Sequence, residues 1–98
     1  MSKFQEIING DTPVIVDFYA VWCGPCKMMP PILKELKDKV GDAVRILKID
    51  VDKNQKLSAQ YGIRSIPTLM LFKNGQAVWQ QAGVASADQL QKVIEAHS

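Results

Sequence analysis

The segment Trp22-Cys23-Gly24-Pro25-Cys26 contains both cysteines of this 98-residue chain and lies between two different hydrophobic patterns. Before it, residues 14–20 are nearly all apolar and rich in β-branched and aromatic side chains, which is typical of a central strand buried on both faces. After it, apolar residues recur at helical spacing up to Val40, and Gly41 ends the pattern. We therefore expect a buried strand, a turn that carries the cysteines, and a helix that begins at Gly24.

The remaining segments predict an α/β fold. Ser2 and Ser86 each precede a helical pattern and have Gln three residues later, which is the signature of a capping box. We predict strands over residues 43–50, 68–73 and 76–82, a short helix over residues 54–61, and a hairpin turn at Asn74-Gly75. This order predicts a mixed sheet of about four strands sandwiched between helices, in a single domain that spans residues 1–98.

Charge and hydropathy argue against several kinds of partner. The formal net charge is only +2 and the lysines are scattered among acids, so we expect no nucleic-acid binding. No apolar run approaches the ~20 residues that a membrane helix needs, so we expect no membrane association. The N-terminal residues lack the apolar core of a signal peptide, which predicts a cytoplasmic protein. Two cysteines in such a chain are more often catalytic than structural.

The positions of the two cysteines predict different chemical roles. If Cys23 caps the helix, the amide of Cys26 is the main donor left for its sulfur, because Pro25 has no N–H. A helix N-terminus lowers the pKa of a thiol and so favours the thiolate. Cys26 instead lies on the helical stripe that faces the core. We therefore expect Cys23 to attack a disulfide and Cys26 to resolve the mixed disulfide that forms.

Two structural roles compete with a redox role for this pair. A static disulfide between residues so close in sequence would constrain little of the unfolded chain. Half of a zinc site would need further soft ligands, and the other candidate is His97 near the opposite end of the sequence. We therefore expect no metal, and a redox pair is the leading interpretation.

Asp17 and Lys48 are the charged residues that interrupt apolar strand patterns. Asp17 could lie at a strand end and reach solvent, but its apolar neighbours favour burial, which would raise its pKa. We expect a buried Asp17 to act as a general base that takes the proton from Cys26. For Lys48, an ammonium group that simply extends to water and a role in tuning Asp17 are about equally plausible.

Two further positions are not decided by the residues alone. Most X–Pro bonds in folded proteins are trans, so base rates favour a trans bond between Ile66 and Pro67. Trp22 is either a core aromatic or a partly exposed ring beside a reactive cysteine.

Residues 17–27, 61–68 and 72–75, with Gly83 following, resemble the thioredoxin family. The resemblance implies a thioredoxin fold, reduction of protein disulfides without a bound cofactor, and re-reduction by a flavoprotein thioredoxin reductase. It matches Asp17 and Lys48 to the family's buried acid and neighbouring lysine, and it implies a cis bond before Pro67. It also implies an apolar docking surface for disulfide-containing proteins, formed by Trp22, Gly24, Pro25, Ile66, Pro67, Ala82, Gly83 and Val84.

The sequence departs from the family pattern in three places. The predicted first helix begins too early to leave room for the family's N-terminal strand, so residues 43–50 should form an exposed edge. We therefore expect a monomer that dimerises weakly through this edge. Tyr19 and Val21 replace the Trp and Glu that are frequent in the family, and Val21 should broaden the docking surface. Pro30-Pro31 doubles the usual single proline, which predicts a sharper kink in the helix.

These features favour a general protein-disulfide reductase. Gly24-Pro25 between the cysteines resembles the reducing members of the family, whereas an oxidant or isomerase is the second interpretation. A third is a binding module that does not use its cysteines. An iron–sulfur cluster shared between two copies is weakly suggested by one pair of cysteines per chain. We expect the reductase.

Overall fold

The computed structural model describes residues 2–98. Their order of helices and strands is the predicted one. The helices are α1 Lys3–Ile8, α2 Met29–Val40, α3 Gln55–Gln60 and α4 Ala87–Ala96, and the strands are β1 Val14–Tyr19, β2 Arg45–Asp50, β3 Thr68–Lys73 and β4 Gln76–Ala82. Short 3-10 helices over Pro25–Met28 and Gly41–Ala43 flank α2.

The four strands form one mixed sheet in the order β2-β1-β3-β4, which confirms the predicted fold class. β1 pairs with β2 in parallel and with β3 antiparallel, and β4 returns beside β3. The central strands β1 and β3 are buried along almost their whole length, whereas the edge strands β2 and β4 both contain exposed residues. This explains why residues 14–19 are apolar on both faces.

Helices cover both faces of the sheet. One core lies between the sheet and helices α2 and α4, and it includes Ile15, Leu36 and Leu90. The other lies beneath α1 and α3 and includes Phe18 and Met70. No helix among residues 2–98 is both long and apolar enough to cross a membrane.

Local signals in the sequence produce the predicted caps and turn. The Gln5 N–H donates to Ser2 Oγ at 3.2 Å, and the Gln89 N–H donates to Ser86 Oγ at 3.1 Å. Asn74 and Gly75 both have positive φ, at 53° and 81°, as a two-residue hairpin turn requires. The two helix caps and the hairpin turn therefore form at the positions that the sequence predicted.

The predicted kinked helix from Gly24 onward is wrong in one respect. The chain first forms the 3-10 helix Pro25–Met28, and α2 begins at Met29. Pro30 and Pro31 therefore lie in the first turn of α2 and not in its interior. Backbone N–H groups in a first turn have no partner within the helix, so prolines there break no hydrogen bond. The change from 3-10 helix to α-helix lies before the two prolines.

The predicted strand over residues 43–50 also starts later than expected. β2 begins at Arg45 because the 3-10 helix Gly41–Ala43 occupies the predicted strand start.

Candidate active site

The two cysteines form a disulfide just beyond the carboxyl end of β1. The Cys23 N–H donates to the Ala20 carbonyl at 3.2 Å, which closes a tight turn after the strand. The Lys27 N–H donates to the Gly24 carbonyl at 3.1 Å within the 3-10 helix that follows. The end of a rigid central strand and the start of a helix therefore hold the two sulfurs together, with Cα atoms 5.3 Å apart.

The Cys23 sulfur accepts a hydrogen bond from the backbone. The Cys26 N–H lies 3.2 Å from Cys23 Sγ, as the sequence predicted. The N-cap of the 3-10 helix is Gly24 and not Cys23, so the sulfur approaches the helix from one residue earlier. An amide donor at this sulfur stabilises a negative charge there in the reduced protein.

Accessibility does not separate the two cysteines in the disulfide form. Cys23 is 4% exposed and Cys26 is 5% exposed, and both belong to a small apolar cluster with Ala20. Tyr19 and Ile66 pack against that cluster. The sequence predicted that Cys26 faces the core, and Cys23 is buried as well. What distinguishes them in the structure is the hydrogen bond to the Cys23 sulfur.

The loop before β3 lies against Cys23. The Ile66 carbonyl oxygen is 3.8 Å from Cys23 Sγ, and the Ile66–Pro67 bond is cis. The Gly83 N–H donates to the Pro67 carbonyl at 2.8 Å, which ties the end of β4 to the same loop. Gly83 has a φ of 94°, a conformation that favours glycine. The structure thus brings Ile66, Pro67 and Gly83, three of the predicted docking residues, to the disulfide.

The other predicted docking residues differ in exposure. Trp22, Gly24, Pro25 and Ala82 are exposed, Ile66, Gly83 and Val84 are half-buried, and Pro67 is buried. A side chain that is already buried offers little surface to a partner. Pro67 therefore shapes the loop, and the exposed residues supply the area available for contact.

Trp22 is held at the surface by a hydrogen bond that sequence reasoning missed. Its side chain is 68% exposed, which excludes the core-aromatic alternative. Its Nε1–H donates to Asp52 Oδ2 at 2.8 Å. Asp52 is itself positioned by its own N–H, which donates to Asp50 Oδ1 at 2.9 Å. Trp22 and Asp52 are 30 residues apart, and no local pattern in the sequence signals such a pair.

Asp17 is buried within β1. It is 2% exposed, so the alternative of a carboxylate reaching solvent is wrong. Burial raises the pKa of Asp17 to about 6, while the charge of Lys48 lowers it. Its Oδ1 has no hydrogen-bond partner within residues 2–98. The buried strand that leads to the cysteines therefore contains a carboxyl group that can change protonation state near neutral pH.

Lys48 lies on the strand next to Asp17. It is aligned with Asp17 in the parallel register of β1 and β2. Its side chain is exposed, yet its charge acts on Asp17. An ammonium group at the surface thus partly offsets the effect of burial on the carboxyl group.

Proteins of similar sequence show the family of this chain. The sequence profile of the family described as Thioredoxin matches residues 1–96. The chain belongs to the thioredoxin family. It is 50% identical to a thioredoxin of Haemophilus influenzae over 97 residues, which cover 98% of this chain and 91% of that protein. It is 49% identical to a thioredoxin of Alicyclobacillus acidocaldarius over 90 residues, which cover 92% and 86% of the two chains.

Solved thioredoxin structures have the same fold. A mutant thioredoxin from Halobacterium salinarum superposes with a TM-score of 0.88 at 38% identity, covering 98% of this chain and 83% of that one. A thioredoxin from Malassezia sympodialis gives a TM-score of 0.84 at 41% identity, covering 96% and 82%. As a thioredoxin-family protein, this chain is a thiol–disulfide oxidoreductase, a redox carrier that works through its Cys23–Cys26 pair.

Within residues 2–98, no three His, Cys, Asp or Glu side chains are grouped so as to hold a metal ion. The Nδ1 atom of His97, the other candidate ligand in the sequence, lies 2.8 Å from the Val93 carbonyl oxygen.

Proposed function

We propose that this thioredoxin-family chain is a general protein-disulfide reductase in which Cys23 is the nucleophile and Cys26 resolves the intermediate. The observation that carries this assignment is the hydrogen bond from the Cys26 N–H to Cys23 Sγ, at 3.2 Å. Once the disulfide is reduced, that donor stabilises a thiolate on Cys23 and not on Cys26. A thiolate is the attacking species in thiol–disulfide exchange.

The first step joins the protein to the substrate through a mixed disulfide. The Cys23 thiolate attacks one sulfur of the substrate, a new S–S bond forms, and the substrate's own S–S bond breaks. The second substrate sulfur leaves as a thiolate and takes a proton from water. The product is a mixed disulfide between Cys23 and the substrate.

The second step releases the reduced substrate. Cys26 loses its proton to Asp17, whose pKa of about 6 makes it an effective base near neutral pH. The Cys26 sulfur then attacks Cys23 Sγ, and the S–S bond of the mixed disulfide breaks as the Cys23–Cys26 bond forms. The remaining substrate sulfur leaves as a thiolate that takes a proton from water, while Asp17 returns its proton to water. The protein returns to the Cys23–Cys26 disulfide. Lys48 tunes this step because its charge lowers the pKa of Asp17.

Substrate docking uses the surface around the disulfide. We assign it to the predicted set, which is Trp22, Gly24, Pro25, Ile66, Pro67, Ala82, Gly83 and Val84. The contacts that tie Cys23, Ile66, Pro67 and Gly83 together support this assignment. An extended substrate segment would lie along the Ile66–Pro67 loop, with its disulfide over Cys23.

The wider cellular role follows from this chemistry. We propose re-reduction by a flavoprotein thioredoxin reductase, no cofactor or metal bound to this chain, and a location in the cytoplasm, where thiols are kept reduced. Disulfide-containing proteins are the substrates, with neither nucleic acid nor membrane as a partner, which agrees with the net charge of +2. Residues 1–98 act as one domain, and the protein is a monomer that dimerises weakly through β2.

Single-cysteine variants test the order of attack. Each reduced variant is mixed with a disulfide-containing protein, and the covalent complex is identified by mass spectrometry. Cys26→Ser should accumulate a mixed disulfide through Cys23, whereas Cys23→Ser should form little complex and reduce nothing. Faster trapping through Cys26 would reverse the assigned roles. A reduction potential above that of the glutathione pool would indicate an oxidant instead of a reductase.

A further inference from the structure

Large apolar side chains are exposed at few positions within residues 2–98, and most of them flank the disulfide. Val21 is 69% exposed, Trp22 68%, Met28 56% and Val78 36%. Val21 and Trp22 directly precede Cys23, and Met28 follows Cys26 by two residues. Exposed apolar groups concentrated in one place indicate a contact surface.

Backbone geometry explains why these side chains project around the cysteines. The hydrogen bond from the Cys23 N–H to the Ala20 carbonyl makes Val21 and Trp22 the central residues of a turn. In a 3-10 helix, side chains three residues apart eclipse one another, so Pro25 and Met28 share one face of the helix.

Burial along the 3-10 helix agrees with this division into faces. Pro25 and Met28 are exposed, whereas Cys26 is 5% exposed and Met29, at the junction with α2, is fully buried. Met28 therefore extends outward, beside Pro25 of the proposed docking surface. We call Val21, Trp22, Pro25 and Met28 the apolar rim.

A substrate must come into contact with this rim to react with Cys23. Cys23 Sγ belongs to a residue that is only 4% exposed, so an incoming disulfide has to approach closely. The side chains next to the substrate cysteine then contact the apolar rim around Cys23. Lys27 is the only charged residue between positions 21 and 28, so the segment that carries the rim has no acidic residue. Asp52, from another part of the chain, contacts the rim through its hydrogen bond with Trp22 Nε1.

The side chains of the apolar rim differ in flexibility. Trp22 is anchored by its hydrogen bond to Asp52 and presents a fixed ring. Met28 has an unbranched, flexible side chain with a polarisable sulfur, which fits differently shaped apolar groups. A fixed ring beside an adaptable thioether suits a surface that must accept many apolar side chains of varied shape.

We propose that Met28 is a specificity-determining residue, and that the apolar rim selects protein disulfides in which a large apolar side chain neighbours the reacting cysteine. The proposal rests on the proposed reductase function and adds a substrate class to it. The substrate side chain packs on Met28 and Trp22 while its disulfide lies over Cys23.

Paired peptides test this selection. Two disulfide-containing peptides are made that are identical except for Leu or Ser beside the reacting cysteine. The wild-type protein should show about a fivefold higher kcat/KM for the Leu peptide, the factor expected when roughly half of one apolar side chain leaves water. Met28→Gln should reduce that preference to about twofold or less, with the change in KM and not in kcat. Met28→Leu should retain the preference, because an apolar side chain remains.

Two controls separate docking from other effects. Val78→Gln removes another exposed apolar side chain, on β4, and should leave both peptides' kinetics unchanged. The rate at which iodoacetamide alkylates Cys23 in the reduced proteins should be the same in wild type and Met28→Gln, because the sulfur's amide donor is untouched. A wild type that reduces neither peptide would overturn the reductase function itself. Reduction of both peptides with no preference, or a preference that survives Met28→Gln, would overturn only the role of the apolar rim.

Discussion

Replacing Asp17 with Asn should stabilise the oxidised protein at neutral pH and slow the resolving step. Asp17 is 2% exposed, and burial raises its pKa from the ordinary 3.8 to about 6 although Lys48 lowers it. An acid whose pKa is raised by folding destabilises the folded state once it ionises. For Asp17 this destabilisation is absent in acid, accumulates as the pH rises above 3.8, and is complete above about 6.

The size of the effect follows from the two pKa values. The difference between 3.8 and about 6, at roughly 1.4 kcal/mol per pKa unit, corresponds to about 3 kcal/mol. The Asn side chain has nearly the same shape and does not ionise. The free energy of unfolding of Asp17→Asn should therefore exceed that of wild type by about 3 kcal/mol more at pH 7.5 than at pH 3.5.

Urea unfolding of the oxidised proteins at several pH values measures this difference. Asp11→Asn, which replaces an exposed acid near the start of the same strand, is the matched control and should show no comparable rise. Lys48→Met should move the wild-type transition to higher pH, because the lysine's charge lowers the pKa of Asp17. If Asp17→Asn differs from wild type equally at pH 3.5 and 7.5, the buried carboxyl group does not titrate as argued.

The same substitution tests the role of Asp17 in proton transfer. Asp17 can accept a proton only when ionised, so the wild-type rate of mixed-disulfide resolution should increase as the pH rises through about 6. Asp17→Asn should resolve more slowly and lack that increase. Unchanged reduction rates between pH 6 and 9 would contradict Asp17 as the base for Cys26.

Two further predictions concern the surface. β2 lies at an edge of the sheet, and sedimentation at increasing protein concentration should reveal weak self-association, whereas a monomer at the highest concentration would exclude pairing through that edge. Asp52→Asn should weaken the hydrogen bond that holds Trp22 and raise KM for protein substrates about threefold, as expected for one such bond, with kcat unchanged. In a Trp79→Phe background, Trp22 fluorescence should also depolarise faster, and an unaltered anisotropy would show that Asp52 does not restrain the ring.

Where the sequence predicted structure accurately, the signal was local. The strands over residues 68–73 and 76–82 and the turn between them were predicted with the observed bounds, because Asn74-Gly75 tolerates the two positive φ angles that a tight hairpin needs. Ser2 and Ser86 cap their helices through side chains that reach only three residues ahead. The pair of cysteines between a buried strand and a helix likewise located the site.

The sequence did not predict features that depend on contacts between distant residues. It also did not distinguish backbone conformations of similar energy, such as a 3-10 helix and an α-helix. Helical spacing indicated Gly24 as the helix start, but apolar periodicity alone does not separate a 3-10 turn at Pro25–Met28 from an α-helix. Local energetics favoured a trans bond before Pro67, and only the resemblance to the thioredoxin family implied the cis bond that the structure has.

The sequence by itself determined the order of strands and helices, the position of Cys23 and Cys26 at the end of a central strand, and the resemblance to the thioredoxin family. Only the tertiary structure decided that Asp52 anchors Trp22, that the Ile66 carbonyl faces Cys23, and how far burial raises the pKa of Asp17. The physical reason is the distance along the chain between the residues that interact. Turns, caps and periodicity depend on a few neighbouring residues, whereas desolvation and hydrogen bonds across the site depend on segments that meet only when the sheet has formed.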